Sequence, residues 1–169
     1  MSINIHQIIQ SQYLASLEML KNAIELCPDQ VWEDKKPKNR FWHIAYHTLF
    51  YTHLYLQEKE ADFQPWEKHV EDIGSLSSSP EAIEQSKEPF SKEDILSYLK
   101  FCQDQVKTIL LILDLDSPKS GFYWLPFSKL ELQFYNIRHI QLHTGELCER
   151  LGKEAAIDVG WVGMIHNQS

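Results

Sequence analysis

Apolar positions recur along the chain at helical spacing, and no stretch has the alternating pattern of a strand. In residues 2–27 an apolar side chain returns every three or four positions, which is the period of one helix face. Residues 40–57 are apolar nearly all round, as expected of a helix with neighbours on every side. The pattern predicts a first and a second helix, with Pro28 and Asp29 after the first and a short turn through Trp32.

Two further helices are expected after a long polar connection, residues 58–90, in which Ser79-Pro80-Glu81 predicts a short helix. Ser91 is the expected N-cap of the third helix, which should end near residues 114–118. Its expected buried stripe consists of Ile95, Leu99, Cys102, Val106, Leu110 and Leu113. The capping box that begins at Ser128 opens the fourth helix.

We therefore expect an all-α fold, a four-helix bundle in which a long crossover lets the second and third helices run parallel. The fourth helix should stop at Gly152, and the tail after it should pack back over the bundle. A chain of 169 residues without an internal repeat predicts a single domain over residues 1–169.

The amino-acid composition limits the classes of protein and of function that fit the chain. The chain is 43% hydrophobic and 24% charged, which is typical of a soluble globular protein and not of a disordered one. A net charge of −8 argues against a nucleic-acid or anionic membrane surface. No apolar run is long enough to span a membrane, and the three widely spaced cysteines include no C-x-x-C pair. These features favour a reducing cytoplasm.

The fourth helix contains two candidate metal ligands. His139 and His143 are four residues apart, so their imidazoles share one helix face and can converge on one point. On a helical wheel His143 lies about 40° from His139. Asn136 lies about 60° away on the same side, and Glu146 about 20° away on the other. The pair alone also fits two hydrogen-bonded or surface histidines.

A third ligand is available in the apolar second helix. His47 is one candidate and His43, four residues earlier, is its rival; spacing does not choose between them. His43 is otherwise a fourth ligand, a residue that orients a ligand or takes part in catalysis, or a hydrogen-bonded core residue. Imidazole suits zinc, nickel, copper and iron. Three such ligands leave a coordination position open, which is typical of a catalytic site.

Polar residues near the pair have several interpretations. Glu146 is a candidate general base or extra ligand, or an ion-pair partner of Arg150 four residues later. Asn136 is a candidate donor that orients a ligand or substrate. Gly145 costs about 1 kcal/mol in a helix relative to alanine. Either a close neighbouring helix or room for a substrate would explain it.

The aromatic segment 121–127 either caps the core or walls an apolar pocket above an open metal site. Under the second interpretation Trp124 and Phe127 are candidates for substrate binding, together with Tyr51 of the second helix.

Two segments, Phe41-Trp42-His43-Ile44-Ala45-Tyr46-His47 and Arg138-His139-Ile140-Gln141-Leu142-His143-Thr144-Gly145-Glu146-Leu147, resemble the DinB/YfiT superfamily of metal-dependent enzymes. The closing Trp161-Val162-Gly163 is also similar, and the resemblance covers essentially the whole chain. It implies an up-down-down-up bundle with three metal ligands, His47, His139 and His143. Leu142 stands where many relatives have another histidine.

The resemblance also implies a function. Family members are best known as bacterial proteins, and some are S-transferases that use low-molecular-weight thiols such as bacillithiol or mycothiol. We therefore expect a divalent metal ion, zinc or nickel, a small-molecule substrate such as a thiol, and an S-transfer reaction. A metal-dependent hydrolase and a non-catalytic metal-binding stress-response module are the alternatives. Bundles of this family can dimerise, so a homodimer is compatible with the resemblance.

Overall fold

A computed structural model describes residues 4–76 and 90–165, and within these ranges the regular structure is entirely helical. The α-helices are α1 (Ile5–Leu26), α2 (Asp29–Trp32), α3 (Phe41–Tyr55), α4 (Lys92–Thr108) and α5 (Lys129–Ala155), with a 3-10 turn at Glu60–Asp62. The all-α prediction is confirmed for the described residues. The expected short helix at residues 79–81 lies outside them.

Side-chain caps determine where three of the long helices begin. Asn4, Ser91 and Ser128 each accept a hydrogen bond from the backbone N–H three residues later. Two predicted ends are wrong. Helix α4 stops at Thr108 and continues as turns, and α5 passes through Gly152 to Ala155. A single glycine costs a helix only about 1 kcal/mol.

The four long helices share one core. Helices α1 and α3 each contact both α4 and α5, an arrangement compatible with a helical bundle. The predicted apolar stripe of α4 and the turns after it is buried at every position: Ile95, Leu99, Cys102, Val106, Leu110 and Leu113. No described helix has the length and apolar character needed to cross a membrane. The tail returns to α1, where Gln12 Nε2 donates to the carbonyl of Gly163 at 3.3 Å.

A buried lysine joins the start of α5 to the end of α3. Lys129 is 2% exposed, and its Nζ donates to the carbonyls of Gln57, Glu58 and Ser120. Gly121, with φ 93°, lets the aromatic loop pass so close that a Cβ there would lie 2.1 Å from the Glu58 oxygen. These contacts hold the aromatic loop and the first turn of α5 against α3.

Candidate metal centre

Three histidines from α3 and α5 converge at one edge of the bundle. One nitrogen each of His47, His139 and His143 lies within 4.8 Å of the other two. The Nε2 atoms of His47 and His139 are 3.1 Å apart. His43, the rival candidate, is outside this cluster because its Nε2 donates to the carbonyl of Ile73 at 3.0 Å. The three predicted histidines are therefore close enough together to hold a metal ion.

Hydrogen bonds orient two of the three rings. His47 Nδ1 donates to the carbonyl of Gly74 at 2.8 Å, and His143 Nδ1 donates to Glu146 Oε2 at 2.7 Å. A neutral imidazole that donates through Nδ1 carries its lone pair on Nε2, so both rings present Nε2 as the ligand atom. Gly74 suits this position, since a Cβ there would lie 2.9 Å from Cε1 of Phe50.

His139 completes the set with a different bonding pattern. Because His47 Nε2 is an acceptor, His139 Nε2 is the donor in the 3.1 Å contact between them. The other ring nitrogen of His139, Nδ1, is buried and has no hydrogen-bond partner within residues 4–76 and 90–165. Two nitrogens bound tetrahedrally to zinc would be about 3.3 Å apart. The observed spacing is close to that value, and His139 would bind a cation through Nε2 once its proton has moved to Nδ1.

Burial keeps the rings of His47 and His139 neutral. It lowers the pKa of His47 to about 3, with the neighbouring histidines adding to the effect. Burial first, and His143 second, lower the pKa of His139 to about 4. Both rings are therefore uncharged at pH 7, the form in which histidine binds metals. A donor set of three imidazoles suits several divalent metals, zinc, nickel, copper and iron among them, and the cysteines are free thiols outside the cluster.

Tyr51 forms a wall of the centre. Its ring centroid is 4.9 Å from that of His47 and 5.5 Å from that of His139, and its hydroxyl is 3.4 Å from Ser75 Oγ. The side chain is partly exposed. Of the three aromatic candidates for substrate binding, Tyr51 is the one that touches the histidines.

The other two aromatic candidates lie along a row of rings that leads away from Tyr51. Tyr55 packs on Tyr51 at 5.5 Å and on Tyr135 at 5.7 Å, and Phe127 packs on Tyr135 at 5.7 Å. Trp124 is farther off in the loop, with its ring 5.4 Å from that of Phe122. The structure thus connects Phe127 to the centre through this row, and Trp124 joins the same row directly by a side-chain hydrogen bond to the Tyr55 hydroxyl.

The polar candidates on α5 have separate roles. Asn136 is wholly buried, and its Nδ2 donates to the Thr52 carbonyl at 3.2 Å, which ties α5 to α3. Of the interpretations of Glu146 that the sequence left open, the ion pair with Arg150 does not form. Glu146 instead holds His143, and Arg150 donates to the Asn39 carbonyl at 3.0 Å.

The structure rules out one explanation of Gly145. A Cβ at Gly145 would meet nothing within 4 Å, so close approach of a neighbouring helix is wrong as an explanation. Gly145 is exposed on the face of α5 that carries Arg138, and a role in making room for a substrate stays a prediction.

Sequence reasoning missed the contribution of the crossover. The carbonyl of Ile73 accepts a hydrogen bond from His43, and the carbonyl of Gly74 accepts one from His47. Apart from the presence of a glycine, the local sequence does not indicate that these carbonyls are acceptors. The contact of Glu146 with His143 could have been predicted, because residues three apart in a helix are neighbours on its surface.

Comparison with known proteins adds no relative. No protein-family model, no curated protein and no solved structure matches the chain. The DinB/YfiT resemblance therefore remains a prediction, and the centre is defined by its geometry: three imidazoles on two helices, oriented by a backbone carbonyl and a carboxylate.

Proposed function

We propose that the chain is a metal-dependent enzyme of the DinB/YfiT type that binds a divalent cation, zinc or nickel, through His47, His139 and His143. The observation that carries the proposal is the convergence of three imidazole nitrogens within 4.8 Å of one another. Two of the rings are already oriented as Nε2 ligands. The helix contacts are compatible with the up-down-down-up bundle that the proposal includes.

The proposed reaction is the transfer of a small thiol to an electrophile, in the cytoplasm. A divalent cation bound by three imidazoles supplies an open Lewis-acid position that lowers the pKa of a thiol. The sulfur bonds to the electrophilic carbon, the leaving group departs with the bonding electrons, and the thiol proton passes to solvent. The chain contributes by positioning: the Gly74 carbonyl holds His47, Glu146 holds His143, and Tyr51 contacts the substrate beside them.

S-transfer is favoured over hydrolysis by the contact that Glu146 makes. A hydrolase of this kind needs a base beside a bound water, and Glu146 is the predicted candidate. Its Oε2 accepts the Nδ1 proton of His143 at 2.7 Å, which is the contact of a residue that orients a ligand.

Turnover of 1-chloro-2,4-dinitrobenzene by the zinc-loaded protein, with and without 2-mercaptoethanol, tests the proposal. We expect metal-dependent release of chloride only with the thiol, lost in His139→Gln and kept in His6→Gln, whose ring bonds to the Leu113 carbonyl outside the cluster. Thiol-independent cleavage of a p-nitrophenyl ester would instead indicate a hydrolase. Neither activity, with a sharp loss of thermal stability on chelation, would indicate a non-catalytic module.

A further inference from the structure

A groove of about 390 Å³ lies on α5 against the exposed side of His139. The described residues that line it all belong to α5: Tyr135, Arg138, His139, Gln141 and Leu142. Leu142 is 61% exposed and Tyr135 37%, so the groove offers apolar surface to solvent beside a guanidinium and an amide. Gly145, one turn further, adds no side chain and has open space around it.

Arg138 is the chemically distinctive member of this groove. Among the described residues no hydrogen bond or ion pair engages it, although the chain has a net charge of −8. The acids one turn or more beyond it on α5 are committed elsewhere: Glu146 accepts from His143, and Glu149 pairs with Lys153. The guanidinium is exposed to solvent and has no acidic partner within residues 4–76 and 90–165, and its planar fork matches the two oxygens of a carboxylate.

From this juxtaposition we propose that the groove binds a small organic acid with an apolar body, whose carboxylate pairs with Arg138. Tyr135 and Leu142 contact the apolar part, and the remainder of the molecule reaches the next residue, His139. The assignment of this acid as the enzyme's substrate rests on the proposed function. Binding of the acid to the groove does not require the metal.

The acid 3-phenylpropionate and its neutral analogue 3-phenyl-1-propanol test the groove. Both are titrated into the metal-free and the zinc-loaded full chain, with the backbone amide signals of residues 135–142 as the NMR readout. In the metal-free protein no cation competes for the carboxylate. There we expect the acid to bind about five-fold more tightly than the alcohol, which is the upper range for a solvent-accessible ion pair. Arg138→Gln abolishes this preference and leaves the affinity for the alcohol unchanged. The control Lys100→Gln removes the same charge at an exposed position on α4 and preserves the preference.

Equal affinities of acid and alcohol in the wild-type chain, or a preference that survives Arg138→Gln, overturn the proposal. A dimer in sedimentation equilibrium that Leu142→Glu dissociates also overturns it, because the groove is then a contact between two copies of the chain. Failure of the proposed function is recognised separately as absence of zinc uptake, and in that case the metal-free titration still decides whether the groove binds acids.

Discussion

The Nε2 atoms of His47 and His139 lie 3.1 Å apart although 92 positions separate the residues along the chain. Contacts between the two helices that carry them set this spacing. Asn136 Nδ2 donates to the Thr52 carbonyl, and Lys129 ties the start of α5 to the end of α3. The centre is therefore organised by the fold itself, and a cation enters a site whose ligands already face one another.

Glu146→Gln tests the carboxylate that holds His143. We expect the affinity for zinc to fall about ten-fold or more, as for other groups that orient a ligand, when measured by competition with a chelating dye. The free energy of unfolding should hardly change, since the Glu146 side chain is 48% exposed. Glu149→Gln, whose partner is Lys153, is the matched control. Equal zinc affinity in both variants would remove Glu146 from the centre.

Gly74→Ala tests the crossover carbonyl. The added Cβ would lie 2.9 Å from the Phe50 ring, so either that ring or the segment that accepts the His47 proton must shift. We expect weaker zinc binding by calorimetry and a loss of about 1–3 kcal/mol in the free energy of unfolding. Gly145→Ala, where nothing lies within 4 Å, should keep zinc affinity and add up to about 1 kcal/mol of stability. Similar behaviour of the two variants would contradict this account.

Lys129→Met tests the hydrogen bonds by which Lys129 joins α5 to the end of α3. Removal of the ammonium group leaves three carbonyls without their donor, and we expect a loss of about 2–4 kcal/mol in urea denaturation. Lys119→Met, an exposed position in the same loop, changes the net charge equally and should be nearly neutral. If the control lost as much free energy of unfolding as Lys129→Met, the change in net charge and not the loss of these hydrogen bonds would be responsible.

His53 makes the stability of the protein depend on pH. Burial lowers its pKa from 6.5 to about 4 in the folded state, whereas the unfolded chain protonates it at its ordinary pKa. Between these values the unfolded state binds more protons, so stability falls as pH drops from about 6.5 to 4, by up to about 3 kcal/mol from this residue. Urea denaturation of metal-free protein measures the slope. His53→Gln should make the slope shallower without abolishing it, because burial also lowers the pKa of His47 and of His139 in the metal-free protein. An unchanged slope would contradict the assignment.

The periodicity of apolar residues was enough to predict the helices and their buried faces, because each helix must hide one stripe from water. The stripe from Ile95 to Leu113 is buried at every predicted position, and the Ser91 and Ser128 caps form as expected. The end of α5 was not predictable from Gly152, since one glycine is a small cost in a long packed helix.

Within the candidate centre, helical spacing predicted that His139 and His143 would share a face. The choice of His47 over His43 depends on how α3 is rotated against α5, which is a property of packing. The Gly74 carbonyl and the availability of Arg138 come from tertiary contacts that leave no mark on the local sequence.

The most direct test of the central claim is zinc stoichiometry by elemental analysis, after dialysis against the metal, for the wild-type protein and for His47→Gln, His139→Gln, His143→Gln and His6→Gln. We predict one zinc per chain in the wild type and in His6→Gln, and far less in each of the other three variants, with helical content preserved. Full zinc occupancy in any two of the three cluster variants would contradict a site built from His47, His139 and His143.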